Sequence, residues 1–213
     1  MKRIASKLLS VLLTLAMLLS MMPMAYAAEP EESTGAAAVT SEDELKSAVE
    51  AGGSVVLGGN ITLTSALTIR DEVTIDLNGF GITSEDSDNG YAICIEAGAK
   101  VTIEGEGTIK GTDGFYAIQS NGGELTVNGG TIHVINMSGN GTVSITGGTI
   151  EKNIDGNMFT GTLTGITVYG GTFAADPAAY LAEGYAAAKG ENGYYVVGPE
   201  VNAISAGDEN ATK

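Results

Sequence analysis

Cysteine and histidine occur once each, at Cys94 and His133, tryptophan does not occur, and proline occurs four times in 213 residues. A single cysteine excludes a disulfide framework, and one cysteine with one histidine excludes a zinc site built from those ligands. Basic residues are also scarce: ten Lys and Arg stand against 26 Asp and Glu, a formal charge of −16, with no basic stripe. Nucleic acid is therefore excluded as a partner, because the chain repels a phosphate backbone. The length predicts one principal domain. What the chain has in quantity is glycine, 31 residues of it.

The first 27 residues stand apart from the rest. Lys2, Arg3 and Lys7 form a positive start, Leu8 to Met24 is almost wholly apolar, and Ala25-Tyr26-Ala27 ends in small residues. That order reads as a secretory signal over 1–27, cleaved after Ala27. Cleavage leaves seven basic against 26 acidic residues, a formal charge of −19. Charge of that sign favours solubility and disfavours anionic membranes, so no membrane partner is expected after cleavage. The expected location is secreted or extracellular, in association with a cell surface.

An internal repeat organises the remainder. Val101-Thr-Ile-Glu-Gly-Glu-Gly-Thr-Ile109, Leu125-Thr-Val-Asn-Gly-Gly-Thr-Ile132, Val143-Ser-Ile-Thr-Gly-Gly-Thr-Ile150 and Ile166-Thr-Val-Tyr-Gly-Gly-Thr-Phe173 are copies of one phrase, and Val73 to Ile82 is a looser one. Their starts at 73, 101, 125, 143 and 166 are spaced by 28, 24, 18 and 23 residues. Within each phrase the apolar, Thr or Ser, apolar alternation is a strand, the Gly pair a corner, and Thr-Ile the next strand. A third strand per turn is expected at Leu67–Ile69, Tyr91–Ile95, Tyr116–Gln119 and Val134–Met137. Three short strands and three corners per turn predict an all-β fold, a short right-handed parallel β-helix of about five to six coils stacked at about 4.8 Å. The core is predicted as columns of inward side chains: Val73, Val101, Leu125, Val143, Ile166; Ile75, Ile103, Val127, Ile145, Val168; and Ile82, Ile109, Ile132, Ile150, Phe173.

An open solenoid needs its ends covered. Ser41-Glu-Asp-Glu44 is a capping box opening a helix that Gly52-Gly53 ends. Asp176-Pro177 opens a second, of barely two turns over Ala178–Glu183, followed by a hairpin of Tyr185–Lys189 and Tyr194–Val197 around Gly190–Gly193. Tyr180, Tyr185, Tyr194 and Tyr195 are expected to lid the last coil, the alternative being that this aromatic cluster binds sugar rings. The expected divisions are the signal at 1–27, a flexible segment at 28–36, an N-terminal cap at 37–53, the β-helix at 54–175, a C-terminal cap of helix and hairpin at 176–198 and a flexible tail at 199–213.

The stretch from Ser41 through Val197 resembles secreted surface proteins of Gram-positive, gut-type bacteria that carry pectate-lyase-like right-handed β-helices. The features in common are the helix before Gly52-Gly53-Ser-Val-Val-Leu57, the Val73-Thr-Ile-Asp-Leu-Asn-Gly79 turn, the Gly-Gly-Thr-Ile phrases, and Gly-Gly-Thr-Phe-Ala-Ala-Asp-Pro leading into Gly-Tyr. The resemblance implies architecture far more than activity, since this fold also serves lyases, hydrolases, phage tailspikes and adhesins. It implies that a lyase would use carboxylates holding calcium beside an Arg or Lys base, and a hydrolase clustered acids.

Three sets of residues are candidates for chemistry. The residue after each Val-Thr-Ile strand forms a column, Asp76, Glu104, Asn128, Thr146, Tyr169. It brings Asp76 and Glu104 to about one coil spacing, near the carboxyl separation of retaining glycosidases, with Glu106 nearby. Arg70 and Lys100 precede the strand whose far end carries these acids, so no base stands beside them. The acidic loop Glu85-Asp86-Ser-Asp88 is a weak calcium candidate, and it departs from the EF-hand frame at the twelfth position. Tyr91, Tyr116 and Tyr169 are candidates for stacking on a glycan, Tyr91 and Tyr116 being placed on neighbouring coils.

Other features carry less. His133 should point outward on its strand, and Cys94 should pack within or beside a sheet. The threonine columns, Thr74, Thr102, Thr126, Ser144, Thr167 and Thr108, Thr131, Thr149, Thr172, are single files, not the paired grid an ice-binding surface needs. The reading these residues support is a non-catalytic extracellular β-solenoid, a surface, adhesive or carbohydrate-contacting module whose partner is a polysaccharide or cell-surface glycan. The alternatives are a carbohydrate-active enzyme, lyase or hydrolase, centred on Asp76 and Glu104, and remotely an ice-binding surface.

Overall fold

A computed structural model describes residues 38–112 and 115–200. The signal and flexible segments expected at 1–36, and residues 201–213 of the expected tail, lie outside the described residues.

The chain winds through five complete coils of three strands and a sixth of two. The first coil is β1 (Gly53–Val56), β2 (Ile61–Leu63) and β3 (Leu67–Ile69); the second β4 (Glu72–Asp76), β5 (Gly81–Ser84) and β6 (Ile93–Glu96). The third is β7 (Lys100–Glu104), β8 (Thr108–Lys110) and β9 (Ile118–Asn121); the fourth β10 (Glu124–Val127), β11 (Thr131–His133) and β12 (Ile135–Ser138). The fifth is β13 (Thr142–Ile145), β14 (Thr149–Glu151) and β15 (Phe159–Gly161), and the sixth β16 (Ile166–Val168) and β17 (Gly171–Phe173). Each strand pairs in parallel with its counterparts in the coils on either side, giving three sheets: β1-β4-β7-β10-β13-β16, β2-β5-β8-β11-β14-β17, and β3-β6-β9-β12-β15. This is the short right-handed parallel β-helix that the repeat predicts, the hand being the one crossovers between parallel strands adopt.

The register is the one the repeat implies. Val73, Val101, Leu125, Val143 and Ile166 are successive partners, as are Ile75, Ile103, Val127, Ile145 and Val168, and Ile82, Ile109, Ile132, Ile150 and Phe173. All fifteen are buried. Fully burying one such side chain contributes about 1.5–3 kcal/mol, and a coil makes that contribution only when its neighbours cover it. The Gly pairs permit the stacking. A Cβ on Gly129 would stand 2.5 Å from the Gly105 carbonyl oxygen, and one on Gly147 would stand 2.3 Å from that of Asn128. Only a bare backbone fits between coils at this corner.

The third-sheet strands start later than the sequence suggests, at 93, 118 and 135, so Tyr91, Tyr116 and Val134 stand in the corners ahead of them. The corner into the third sheet is where coil length varies: residues 85–92 and 152–158 make long excursions and seven residues separate β8 from β9, whereas Val134 alone joins β11 to β12. That one-residue corner holds Val134 at φ 43°, a left-handed conformation costly for a β-branched residue, while its side chain is buried.

Helix α1 (Glu42–Ala51) covers the first coil with buried Leu45 and Val49. Ser41 Oγ accepts from the Glu44 N–H and the Glu44 carboxylate accepts from the Thr40 N–H, so the capping is reciprocal and offset by one residue. Glu42 reaches over to the corner between β2 and β3, accepting from the Thr64 and Ser65 N–H groups, and pairs with Lys46 at 2.6 Å. At the other end the two-turn helix expected over Ala178–Glu183 is a single 3-10 turn, Ala178–Tyr180. Leu181 is extended, bridging Val168 on the edge of the first sheet, and satisfying that edge outweighs a second turn. β18 (Tyr185–Lys189) and β19 (Tyr195–Pro199) form the hairpin, and β19 adds to β17 antiparallel. β19 takes up Pro199, and Glu200 still donates to the Gly184 carbonyl, so both belong to the cap and not to the expected tail. Tyr180, Tyr185 and Tyr195 pack on the core as a lid, but Tyr194 turns away and its hydroxyl donates to Glu151 at 2.9 Å.

Candidate functional site

The residues just ahead of β6 and β9 place three aromatic side chains together on two neighbouring coils. The rings of Tyr91 and Tyr116 are parallel within 12°, with centroids 6.3 Å apart. Phe115 meets Tyr116 edge-on at 6.4 Å and is 47% exposed, its ring lying over Gly90, where a Cβ would collide with it. Offset parallel stacking and edge-to-face contact are the two favoured geometries for such rings. Both tyrosines are half-buried. Burial raises the Tyr91 hydroxyl above its ordinary pKa, with Cys94 beside it adding to the effect.

These rings border a polar ladder on the outer face of the third sheet, which the sequence did not reveal. Cys94, Gln119, Asn136 and Thr160 are register partners, as are Glu96, Asn121 and Ser138. Asn136 Nδ2 donates to Gln119 Oε1 at 2.6 Å, and Thr160 Oγ1 donates to Asn136 Oδ1 at 2.6 Å. Gln119 Nε2 donates to Asn121 Oδ1 at 2.8 Å and Ser138 Oγ donates to the same oxygen at 2.9 Å. Amide planes are thereby held at fixed orientation along the face, each fixed by its neighbour in the next coil. The signal in the sequence was a polar residue at the second position of each third strand, obscured because loop length shifts that position from coil to coil.

Cys94 is buried at the foot of this ladder. Burial, with the Glu96 carboxylate beside it, pushes its thiol up to about 11, so it is a protonated packing group at neutral pH. Asn121 Nδ2 donates to its sulfur at 3.3 Å.

The other sequence candidates lie elsewhere. Tyr169 stands on the corner between the first and second sheets, edge-on to Tyr185 at 5.5 Å, so it is not brought together with Tyr91 and Tyr116. Asp76 and Glu104 are direct register partners at the end of the first sheet. Beyond them Thr146 Oγ1 donates to Asn128 Oδ1, continuing the column. Asp76 Oδ1 accepts from the Asn78 N–H at 2.9 Å. Lys100 pairs with Glu124 at 3.4 Å, away from these acids. A shallow groove of about 570 Å³ runs along the glycine corner, floored by Gly105, Gly107, Gly129, Gly130 and Gly148 and bordered by Glu106, Asn128, Thr131 and Thr149.

In the acidic loop, Asp86 is buried, and its carboxylate accepts from the N–H groups of Ala66, Asp88 and Asn89 and from Asn89 Nδ2. The Asn89 bonds, foremost among these, hold the carboxyl down to about 2. Oδ1 is thus engaged within the loop, and Oδ2 ties the loop to Ala66 ahead of β3, while Glu85 and Asp88 are exposed. Among the described residues no group of three or more His, Cys, Asp or Glu side chains is placed to hold a metal. His133 is half-buried and directly opposite Glu151; burial lowers its pKa. Among the described residues no helix is long and apolar enough to cross a membrane.

Compared with known proteins, the chain matches no family model, no curated protein and no solved structure.

Proposed function

We propose that this protein is a non-catalytic extracellular module of the pectate-lyase-like surface-protein kind, and that it contacts a polysaccharide or cell-surface glycan. The carrying observation is the parallel Tyr91–Tyr116 pair set beside the amide ladder of Gln119, Asn121 and Asn136. Sugar rings present apolar C–H faces to aromatic side chains and hydroxyls to amides, so a rigid border of one next to a rigid array of the other suits a glycan. The repeat of the ladder along the coils suits a polymer over a single sugar. The positive start, apolar run and Ala-Tyr-Ala of residues 1–27 support export.

Binding of the chain to an array of glycans and insoluble polysaccharides tests this. A signal lost in Tyr91→Ala and in Gln119→Ala, with no release of reducing ends, supports the proposal. Absence of any signal from the folded chain counts against it.

One observation favours a second reading, a carbohydrate-active enzyme: Asp76 and Glu104 face one another in register, and Glu106 borders the groove beside them. Release of reducing or unsaturated ends, abolished by Asp76→Asn and Glu104→Gln and untouched by Tyr91→Ala, would establish that reading instead.

A further inference from the structure

The two ends of the β-helix are finished differently. Helix α1 and the Val39–Leu57 bridge close the first coil. At the other end the hairpin moves the edge of the second sheet outward from β17 to β18, and among the described residues nothing pairs with the far side of β18. That strand, Tyr-Ala-Ala-Ala-Lys, has no proline and no bulge, two of the devices that block edge pairing.

The hydrogen-bond parity of the hairpin says which groups are free. Gly190 donates to the Tyr194 carbonyl and Glu200 donates to that of Gly184, so the even-numbered residues of β18 turn their N–H and C=O toward β19. The odd-numbered residues, Tyr185, Ala187 and Lys189, therefore turn theirs to the open edge. The Tyr185 N–H is taken by the Ala182 carbonyl, which leaves both groups of Ala187 and Lys189 and the Tyr185 carbonyl.

We propose that β18 pairs antiparallel with β18 of a second copy about a two-fold axis at Ala187. In that register four of the five free groups of each copy are paired; a register centred on Ala188 pairs as many but brings Lys189 of the two copies to diagonal positions on one face, where like charges repel. Ala187 of each copy exchanges both bonds with its counterpart, and the Lys189 N–H of each donates to the Tyr185 carbonyl of the other. Tyr185 then faces Lys189 of the second copy, so the two ammonium groups stand at opposite ends of the strand pair. The same kind of pair already exists within the hairpin, where Lys189 Nζ lies 5.4 Å from the centroid of Tyr195. Because the contact is isologous it closes at two copies, joining two solenoids by their capped ends through one continuous sheet. The strand is short, so the association is concentration-dependent.

Single-cysteine placement along β18 tests this, with buried Cys94 as a silent background. At an antiparallel hydrogen-bonded pair the Cα atoms are about 5.5 Å apart, a separation a disulfide spans. Ala187→Cys should give a covalent dimer under mild oxidation severalfold faster than Ala186→Cys, whose position faces Ala188 of the other copy and not itself. Sedimentation velocity of the full chain should show a concentration-dependent dimer that Ala187→Pro abolishes, the lost N–H being one that β19 does not use. A chain that stays monomeric over the whole concentration range, equal cross-linking at 186 and 187, or open-ended growth beyond the dimer would each overturn the proposal. Should Ala187→Pro fail to fold, the contrast between the two cysteine variants still decides.

Discussion

Tyr116 stacks on Tyr91 across one coil, planes within 12° and centroids 6.3 Å apart, although neither residue belongs to a strand. The contact adds to the backbone bonds that join the two loops, from the Thr112 N–H to the Gly90 carbonyl and from the Ala92 N–H to the Ala117 carbonyl. Truncating both in a double-mutant cycle should return a coupling of about 0.5–1.5 kcal/mol in urea unfolding. A coupling near zero would mean that the rings merely lie side by side.

Acid should weaken the fold through two carboxylates. Glu42, held low first by Lys46, and Asp86, held low first by Asn89, each have folded values of about 2 against ordinary values of 4.5 and 3.8. A depressed folded value means the contribution is complete above the ordinary value and is lost as pH falls toward the folded one. Thermal midpoints should thus fall between about pH 4.5 and 2, and Asp86→Ala should both lower the midpoint at pH 7 and flatten that decline. An unchanged slope in this variant would remove Asp86 from the account.

Glycine substitutions separate close packing from backbone strain. Gly147 has an ordinary φ but no room, its Cβ meeting the Asn128 carbonyl oxygen at 2.3 Å; Gly53, at φ 88°, has nothing within 4 Å. Gly147→Ala should cost at least the 1–3 kcal/mol or so of overpacking, whereas Gly53→Ala should cost only the left-handed penalty of about 1–2 kcal/mol. Denaturant midpoints of the two variants would show the order; its reversal would place the strain in the backbone and not between coils.

Cys94 should be silent to thiol reagents in the native protein. Its burial and a thiol pKa of about 11 leave little thiolate at neutral pH. Labelling should follow global unfolding, slow in buffer and rapid in denaturant. Fast labelling without denaturant would show that the third-sheet face opens locally.

The residues that place the coils were legible in the chain, because each phrase repeats the same alternation and its glycine corner answers a local demand. Val101, Leu125 and Val143 are aligned in the folded protein as their positions in the phrase require. The third strands were less legible. Their corners run from one residue at Val134 to the eight of 85–92, so no constant spacing marks them, and the offset of two residues put Tyr91 and Tyr116 in strands when they stand ahead of them. The one-turn cap at Ala178–Tyr180 was hidden for a different reason: local capping signals favoured a longer helix, and Leu181 is drawn off to Val168 by a sheet edge far away in sequence.

By itself, then, the amino-acid order determined the coil, its inward columns and the pairing of Asp76 with Glu104, since a period of two and a recurrent glycine corner are local properties that stacking merely repeats. Only the tertiary structure decided what the outward surface is. The ladder of Gln119, Asn136 and Thr160, the contact between two tyrosines, and the free edge at Ala187 all join residues from different turns of the chain. Their meeting depends on loop lengths that burial of the core does not dictate.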